Sequence, residues 1–121
     1  MKPVWFKNHV AYTMAKYGMS MCVLGMAEEF KRDGIGVNAL WPRTVIDTAA
    51  LQMIPSINAA AGRTPEILAD AAYIIFNRDA KECTGNFFVD DLVLASEGIT
   101  DLEKYSVTPG TKDFLLDFFL D

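Results

Sequence analysis

Apolar residues recur along the first part of the chain with the spacing of an α-helix. No proline interrupts residues 10–33, and Asp33-Gly34 supplies a helix stop. Apolar residues in this stretch follow one another at intervals of four, three and four, which places them on one helical face: Met19, Val23, Met26 and Phe30. The pattern predicts a long helix from about Val10 to Asp33, with core packing for the methionines Met19, Met21 and Met26.

The middle of the chain reads as strand, helix, strand. Residues 35–41 are a nearly continuous apolar run before Pro42, which is typical of a strand covered on both faces in a parallel sheet. Thr64-Pro65-Glu66 opens a second helix, with threonine at the N-cap and proline at the first position, that runs to about Phe76. Residues 86–89 form a second strand. This order predicts a right-handed βαβ crossover.

The remaining segments are connections. Residues 43–63 are long enough to act as a substrate loop, with a short helix near residues 47–53 and Met53 packed in the core. Residues 91–121 form a C-terminal tail of mixed pattern that ends in aromatic residues. Two strands are too few for a stable sheet, so we expect residues 1–121 to be a single partial domain of a larger α/β sheet.

Composition narrows the function classes. The chain has 121 residues, of which 51% are hydrophobic and 22% charged, as in folded soluble proteins. Its net charge of −5, without a basic stripe, argues against nucleic-acid binding. The lack of a signal peptide and of a long apolar run predicts a cytoplasmic protein without membrane contact. Cys22 and Cys83 are predicted to be reduced, mostly buried thiols, and with His9 as the only histidine we expect no metal site.

The candidate chemistry lies at the start of the long helix. Tyr12 and Lys16 are four residues apart, so their side chains share one face and reach the same ligand. Alone, this spacing is a weak signal, because it also describes an amphipathic tyrosine beside a solvated lysine.

The residues that follow strengthen the signal. Val37-Asn38 and Pro42 come at the end of the apolar strand, Thr48 follows, and Thr84-Gly85 leads to Asp90. Together with Tyr12-Thr13-Met14-Ala15-Lys16, this order resembles the short-chain dehydrogenase/reductase family. The resemblance covers nearly the whole chain. It implies the C-terminal part of a Rossmann-like doubly wound parallel sheet, built as long catalytic helix, strand, helix and strand.

The resemblance also assigns roles. Tyr12 would exchange a proton with the substrate oxygen, while Lys16 would favour the phenolate and bond the nicotinamide ribose. Cofactor contacts would come from Tyr12, Lys16, Pro42, Val45 and Thr48, the cofactor being NAD or NADP. Thr44 or Ile46 are alternatives for the last two positions, and a helix N-cap is an equal alternative for Thr48.

The chain departs from the family pattern in four respects. Arg43 stands where many relatives have glycine, and Asp90-Asp91 replaces a frequent Asp-Gly-Gly. The glycine-rich phosphate loop, Thr-Gly-x-x-x-Gly-x-Gly, does not occur in the 121 residues, and the catalytic serine is not found upstream of Tyr12.

Two functions from different classes follow. The first is an NAD(P)-dependent oxidoreductase acting on a hydrophobic alcohol or carbonyl compound, without its nucleotide-binding part in these residues and inactive alone. The alternative is a non-catalytic truncated homologue that acts as an association module, since the family resemblance implies a homo-oligomer through the catalytic helix. A third hypothesis, lipid binding through residues 114–120, has less support because tail packing explains the same residues.

Overall fold

A computed structural model of the chain describes residues 2–120. The chain divides into two compact units, Met1–Ala39 with Arg78–Phe87, and Leu40–Asn77 with Phe88–Asp121. Four α-helices and two β-strands form in these residues: α1 Val10–Glu29, β1 Ala39–Trp41, α2 Ala49–Gln52, α3 Glu66–Phe76, β2 Phe87–Val89 and α4 Asp90–Ser96. Short 3-10 turns lie at Pro3–Trp5, Lys31–Asp33, Ala59–Ala61 and Glu103–Tyr105.

The α/β class and the strand–helix–strand order are confirmed. Strands β1 and β2 pair as neighbours in a small parallel sheet, where the Ala39 amide donates to the Asn86 carbonyl oxygen at 2.9 Å. Each strand has three residues and is at most partly buried. Such a sheet is too small to be stable by itself, which agrees with the prediction that the chain is part of a larger sheet.

The first strand is shorter than predicted. Of residues 35–41, only Ala39–Trp41 are extended in the sheet. A Cβ atom on Gly36 would lie 2.7 Å from the Cys83 carbonyl oxygen, so this backbone runs against a turn. The Val37 amide donates to Thr84 Oγ1 at 3.1 Å, and Asn38 Nδ2 donates to the Cys83 oxygen at 2.9 Å. Their polar groups therefore bond to the turn at residues 83–86 instead of to a strand.

The long helix α1 ends close to its predicted limit. Its α-helical part stops at Glu29, and the 3-10 turn that follows ends at Gly34, whose φ of 70° is left-handed. Thr13 and Ala27 are its buried residues. The prediction that Met19, Met21 and Met26 pack in a core is wrong, because small side chains occupy the inner face of α1 and the methionines are exposed. Cys22 is also exposed, whereas Cys83 is buried, and both are free thiols.

The core of the second unit lies between α3 and α4. Fully buried Ile67, Leu94 and Tyr105 form its centre, and four partly buried residues pack against them: Ile46, Leu68, Ile74 and Leu102. Helix α3 begins one residue later than expected, with Pro65 at the N-cap position. Helix α4 was not predicted, and it starts directly after β2 without a connecting loop. Met53, expected in the core, is 82% exposed.

The C-terminal tail folds back onto the second unit. The Tyr105 hydroxyl donates to Asp70 Oδ2 at 2.6 Å, which holds the tail to α3. An antiparallel bridge joins Leu116 to Thr44. Phe119 is buried and meets the Trp41 ring edge-on at a centroid distance of 5.5 Å. Tail packing therefore accounts for much of the aromatic cluster that motivated the lipid-binding hypothesis.

Replacing Gly62 or Gly25 by alanine should change the free energy of unfolding in opposite directions. A Cβ at Gly62 would collide with the Val45 carbonyl oxygen, whereas nothing lies within 4 Å of one at Gly25 in the described chain. Gly62→Ala should lower the free energy of unfolding by about 1–3 kcal/mol through overpacking. Gly25→Ala, inside α1, should raise it by roughly 0.5–1 kcal/mol because alanine is the better helix former. Urea denaturation measures both, and equal stability of the two variants would contradict the packing around Gly62.

Candidate functional site

Tyr12 and Lys16 lie in the first turns of α1, in the first unit. Their spacing of four residues places both side chains on one face, and Lys16 Nζ lies 5.6 Å from the centre of the Tyr12 ring. Tyr12 is 51% exposed and Lys16 is partly buried. The pair therefore offers a phenol and an ammonium group on an accessible surface of α1.

Aromatic side chains hold the start of α1 in place. The segment before the helix turns back at Pro3–Trp5, and the buried Thr13 hydroxyl donates to the Trp5 carbonyl oxygen. Phe6 stacks on Tyr17 with ring centroids 6.0 Å apart. Because Thr13 follows Tyr12 directly, this contact fixes the rotation of the helix at the tyrosine. The sequence showed no signal for this role of Thr13.

The segment after β1 carries the other predicted site residues, in the second unit. Pro42 is partly buried and Val45 is buried, while Thr48 is exposed. Thr48 Oγ1 accepts a hydrogen bond from the Leu51 amide at 3.4 Å, so the N-cap alternative is realised in α2. Thr44 is almost fully buried, and Ile46 packs against the hydrophobic cluster of α3 and α4. Val45 is buried like Thr44, whereas Ile46 is partly exposed, so burial does not favour Val45 over the two alternatives.

An acidic pair at the start of α4 holds the segment after Pro42. Asp90 Oδ1 accepts from the Arg43 amide at 2.9 Å and from the Asp91 amide at 2.7 Å. The Arg43 guanidinium donates through Nε to Asp91 Oδ2 at 2.9 Å, and this bond raises the pKa of Arg43. Arg43 and Asp91, which stand at two of the departures from the family pattern, therefore bond to each other. Their proximity could not be predicted from positions nearly fifty residues apart.

The donors present suit some ligands better than others. A phenol and an ammonium on one face can bind the hydroxyl groups of a sugar or the oxygen of a carbonyl compound. Within residues 2–120, no cluster of three His, Cys, Asp or Glu side chains could hold a metal ion. In the same part of the chain, no helix combines the length and apolarity needed to cross a membrane.

Comparison with solved structures defines the class of protein. A crystal structure of a proposed dehydrogenase from Xanthomonas campestris superposes with a TM-score of 0.92 and 50% identity, over 100% of this chain and 44% of that one. A short chain dehydrogenase from Mycobacterium thermoresistibile gives 0.85 and 41%, over 100% of this chain and 43% of its own. The chain is thus similar in sequence and fold to part of the short-chain dehydrogenases, which are enzymes.

Comparison with curated proteins is more specific. Hydroxysteroid dehydrogenase-like protein 2 from Xenopus tropicalis is 56% identical over the whole of this chain, which spans 28% of that protein. The proteins of that name from Rattus norvegicus and Homo sapiens are 57% and 54% identical, with 23% and 28% of their lengths spanned. The chain therefore spans about a quarter of these relatives. No family model matches it.

Burial of Asp90 predicts a pH dependence of stability. Burial raises the pKa of Asp90, and the hydrogen bonds from the Arg43 and Asp91 amides only partly oppose this effect. The folded protein then binds the proton more tightly than the unfolded chain. Stability from this group is complete below about pH 4, the unfolded-state value, and is lost as the pH rises through the folded-state pKa. Asp90→Asn should remove this decline, whose slope is at most about 1.4 kcal/mol per pH unit.

Asp70 provides a control of opposite sign. Hydrogen bonds from Tyr105 and Lys104 lower the pKa of Asp70, so its stabilisation is lost as the pH falls. Urea denaturation of Asp90→Asn and Asp70→Asn between about pH 2 and 7 should show two separate differences from the unaltered protein. The difference for Asp90→Asn should change above about pH 4, and the difference for Asp70→Asn should change below about pH 4. A difference for Asp90→Asn that stays constant above about pH 4 would show that Asp90 is not desolvated as described.

Proposed function

We propose that the chain supplies the proton-transfer pair and part of the nicotinamide wall of an NAD(P)-dependent, cytoplasmic oxidoreductase. The observation that carries the proposal is the placement of Lys16 Nζ 5.6 Å from the Tyr12 ring on an accessible face of α1. The substrate would be a hydrophobic alcohol or carbonyl compound. Since the chain spans about a quarter of its curated relatives, the activity is proposed for the whole protein. The assignment of residues 1–121 to the C-terminal part of one domain remains a prediction.

Tyr12 and Lys16 have different roles in the proposed reaction. In reduction, the Tyr12 hydroxyl donates a hydrogen bond to the substrate carbonyl oxygen and then transfers its proton there; in oxidation, the phenolate removes the proton of the alcohol. The Lys16 ammonium stabilises the negative charge on the phenol oxygen and donates to a ribose hydroxyl. The nicotinamide, when bound, supplies or accepts the hydride.

Pro42, Val45 and Thr48 form the proposed wall. The buried Val45 side chain anchors this segment, and bonds from Asp90 and the tail hold its backbone. The Thr48 oxygen accepts from the Leu51 amide, but its hydroxyl proton remains available to a carboxamide oxygen. The cap and the cofactor contact are therefore compatible at Thr48. The residues of the chain favour neither NAD nor NADP.

The loop between residues 43 and 63 supports an apolar substrate. Its outer part exposes Met53 and Ile54, 82% and 45% accessible, next to Pro55. Exposed apolar residues at a loop tip are unfavourable in water unless a ligand or another surface covers them. The names of the relatives mention hydroxysteroids, and a steroid would be one member of this substrate class.

A fluorescence titration with NADH and NADPH tests the assignment of Lys16. Loss of one hydrogen bond from a charged group removes about 1.5–3 kcal/mol, so Lys16→Met should weaken binding roughly 10–100-fold. Lys104→Met is the matched control, because Lys104 is also a surface lysine but pairs with Asp70 in the second unit. Its binding constant should match that of the unaltered chain.

Two outcomes decide against parts of the proposal. If the folded chain binds neither nucleotide, the activity belongs to the longer relatives and the association function below is favoured. We expect no hydride transfer by the 121 residues alone, because they contain no phosphate loop. Turnover that persists in the purified chain and disappears in Tyr12→Phe, but not in Tyr73→Phe, would contradict that expectation.

A second function, association of copies through α1, is favoured by the outer surface of that helix. Exposed apolar residues recur there at intervals of four, seven and three: Val10, Met14, Met21 and Leu24. This is the spacing of a helix–helix contact. Gly18 and Gly25 have nothing within 4 Å in the described chain, so a second backbone could approach closely.

The association state tests this surface directly. Leu24→Glu places a charge in the proposed contact and should convert the sedimentation coefficient from that of a dimer to that of a monomer. Leu92→Glu is the control, because Leu92 on α4 is equally exposed, 58% against 59%, and lies outside α1. A monomeric unaltered chain, or dissociation by both variants, would exclude association through α1.

A further inference from the structure

The second unit buries charged groups that the proposed function does not use. Asp90 is 0% exposed, and only its Oδ1 atom accepts hydrogen bonds. Asp90 Oδ2 and two donors of Arg63, Nε and Nη1, are buried without a hydrogen-bonding partner among residues 2–120. Burying an ionised group without a partner is strongly unfavourable. These atoms therefore need a partner that residues 2–120 do not supply.

The backbone places the Arg63 side chain on the inner side of the unit. Arg63 forms a parallel bridge with Ile46 and an antiparallel bridge with Ser106, and directly paired residues project their side chains to the same face. Ile46 packs against the cluster of Ile67, Leu94 and Tyr105, so that face is the interior. The Phe114 ring covers the guanidinium, whose carbon lies 4.7 Å from the ring centre.

The charge of Arg63 acts on Asp90, where it favours the carboxylate and opposes the effect of burial. The polar atoms left over are two donors on Arg63 and three acceptors: Asp90 Oδ2, Asp91 Oδ1 and the Ser106 hydroxyl. With Arg43 included, the cluster holds two positive and two negative side chains. A neutral cluster with mixed donors and acceptors suits water better than an ion.

We propose that Arg63 and Asp90 form a buried, water-bridged ion pair that positions residues 43–47. Asp90 holds the Arg43 amide at one end of this segment. At the other end, the Arg63 amide donates to the Val45 oxygen at 3.0 Å, and the Asp47 amide donates to the Arg63 oxygen at 2.9 Å. The pair thus couples both ends of the 43–63 loop, with Arg63 and Asp90 as positioning residues.

The consequence for the cofactor rests on the proposed function. Pro42, Val45 and Thr48 are the three proposed nicotinamide contacts. Residues 43–47 contain Val45 and lie between the other two. A pair that holds this segment determines whether the wall is formed before the cofactor arrives. Such preorganisation acts on affinity without any contact between Arg63 or Asp90 and the ligand.

A double-mutant cycle tests the pair without any cofactor. Arg63→Met keeps an unbranched side chain and removes the charge and its donors, while Asp90→Asn keeps an oxygen acceptor for the Arg43 amide. Each single variant should accelerate amide hydrogen exchange of Arg43, Val45 and Asp47 at least tenfold relative to amides of α3. The double variant should accelerate it by much less than the product of the two single effects, since neither charge is then left unpaired.

The exposed pair of Lys104 and Asp70 provides the matched control. Lys104→Met, Asp70→Asn and their combination should leave exchange at residues 43–47 unchanged. Multiplicative effects in the Arg63–Asp90 cycle, or equal acceleration throughout α3, would overturn the proposal. Because no nucleotide is present, these results do not depend on the proposed function, which the NADH titration of the same variants tests separately.

If a variant does not fold, the water-bridged pair can be tested in the unaltered protein. In nitrogen-15 spectra, the Arg63 Nε–H should exchange slowly with solvent and show cross-relaxation to a long-lived water. The Arg43 Nε–H, bonded directly to Asp91, is the internal reference for a protected guanidinium without bridging water. A rapidly exchanging Arg63 Nε–H, or one without a water signal, would overturn the bridged pair.

Discussion

The second unit depends on the buried carboxylate of Asp90. This residue follows β2 without a loop, begins α4, and accepts the amide of Arg43 just beyond β1. One side chain therefore joins the two strand ends to the helix whose Leu94 forms the core with Ile67 and Tyr105. A neutral apolar side chain at position 90 would destabilise the unit, because the Arg43 and Asp91 amides would lose their acceptor inside the protein.

The sequence predicted the elements that depend on local patterns, and it failed where tertiary contacts decide. The long helix, α3 and the stop at Gly34 follow from spacing and from turn residues, which act within a few positions. The methionines of α1 were misjudged because periodicity identifies an apolar face but not the partner that covers it. Residues 35–38 looked like a strand because their composition is apolar, yet Thr84 and Cys83 bind their polar groups.

Long-range polar contacts were the hardest part to predict. Helix α4 lacks a side-chain cap at Val89, so the local signal for its start is limited to the acidic residues Asp90 and Asp91 in its first turn. Nothing in the sequence around Arg63 distinguishes it from a solvated arginine, whereas the bridges to Ile46 and Ser106 turn it inward. Of the site, Tyr12 and Lys16 share one helix face as their spacing predicted, and Thr48 is a helix N-cap. The catalytic and cofactor roles of these residues stay predictions. Thr13, which fixes the helix at Tyr12, had no detectable pattern.

Arg43 and Asp91, which stand at two of the departures from the family pattern, compensate each other's charge. An arginine directly after Pro42 would place a large cation beside the proposed nicotinamide wall, where many relatives have glycine. Here the Asp91 carboxylate binds the guanidinium at 2.9 Å and draws it towards α4. Arginine alone would leave a partly buried charge unpaired, and aspartate alone would do the same with the opposite sign. The substitution of both positions therefore keeps the segment neutral, and the backbone of residues 43–47 can retain its place between the tail and Arg63.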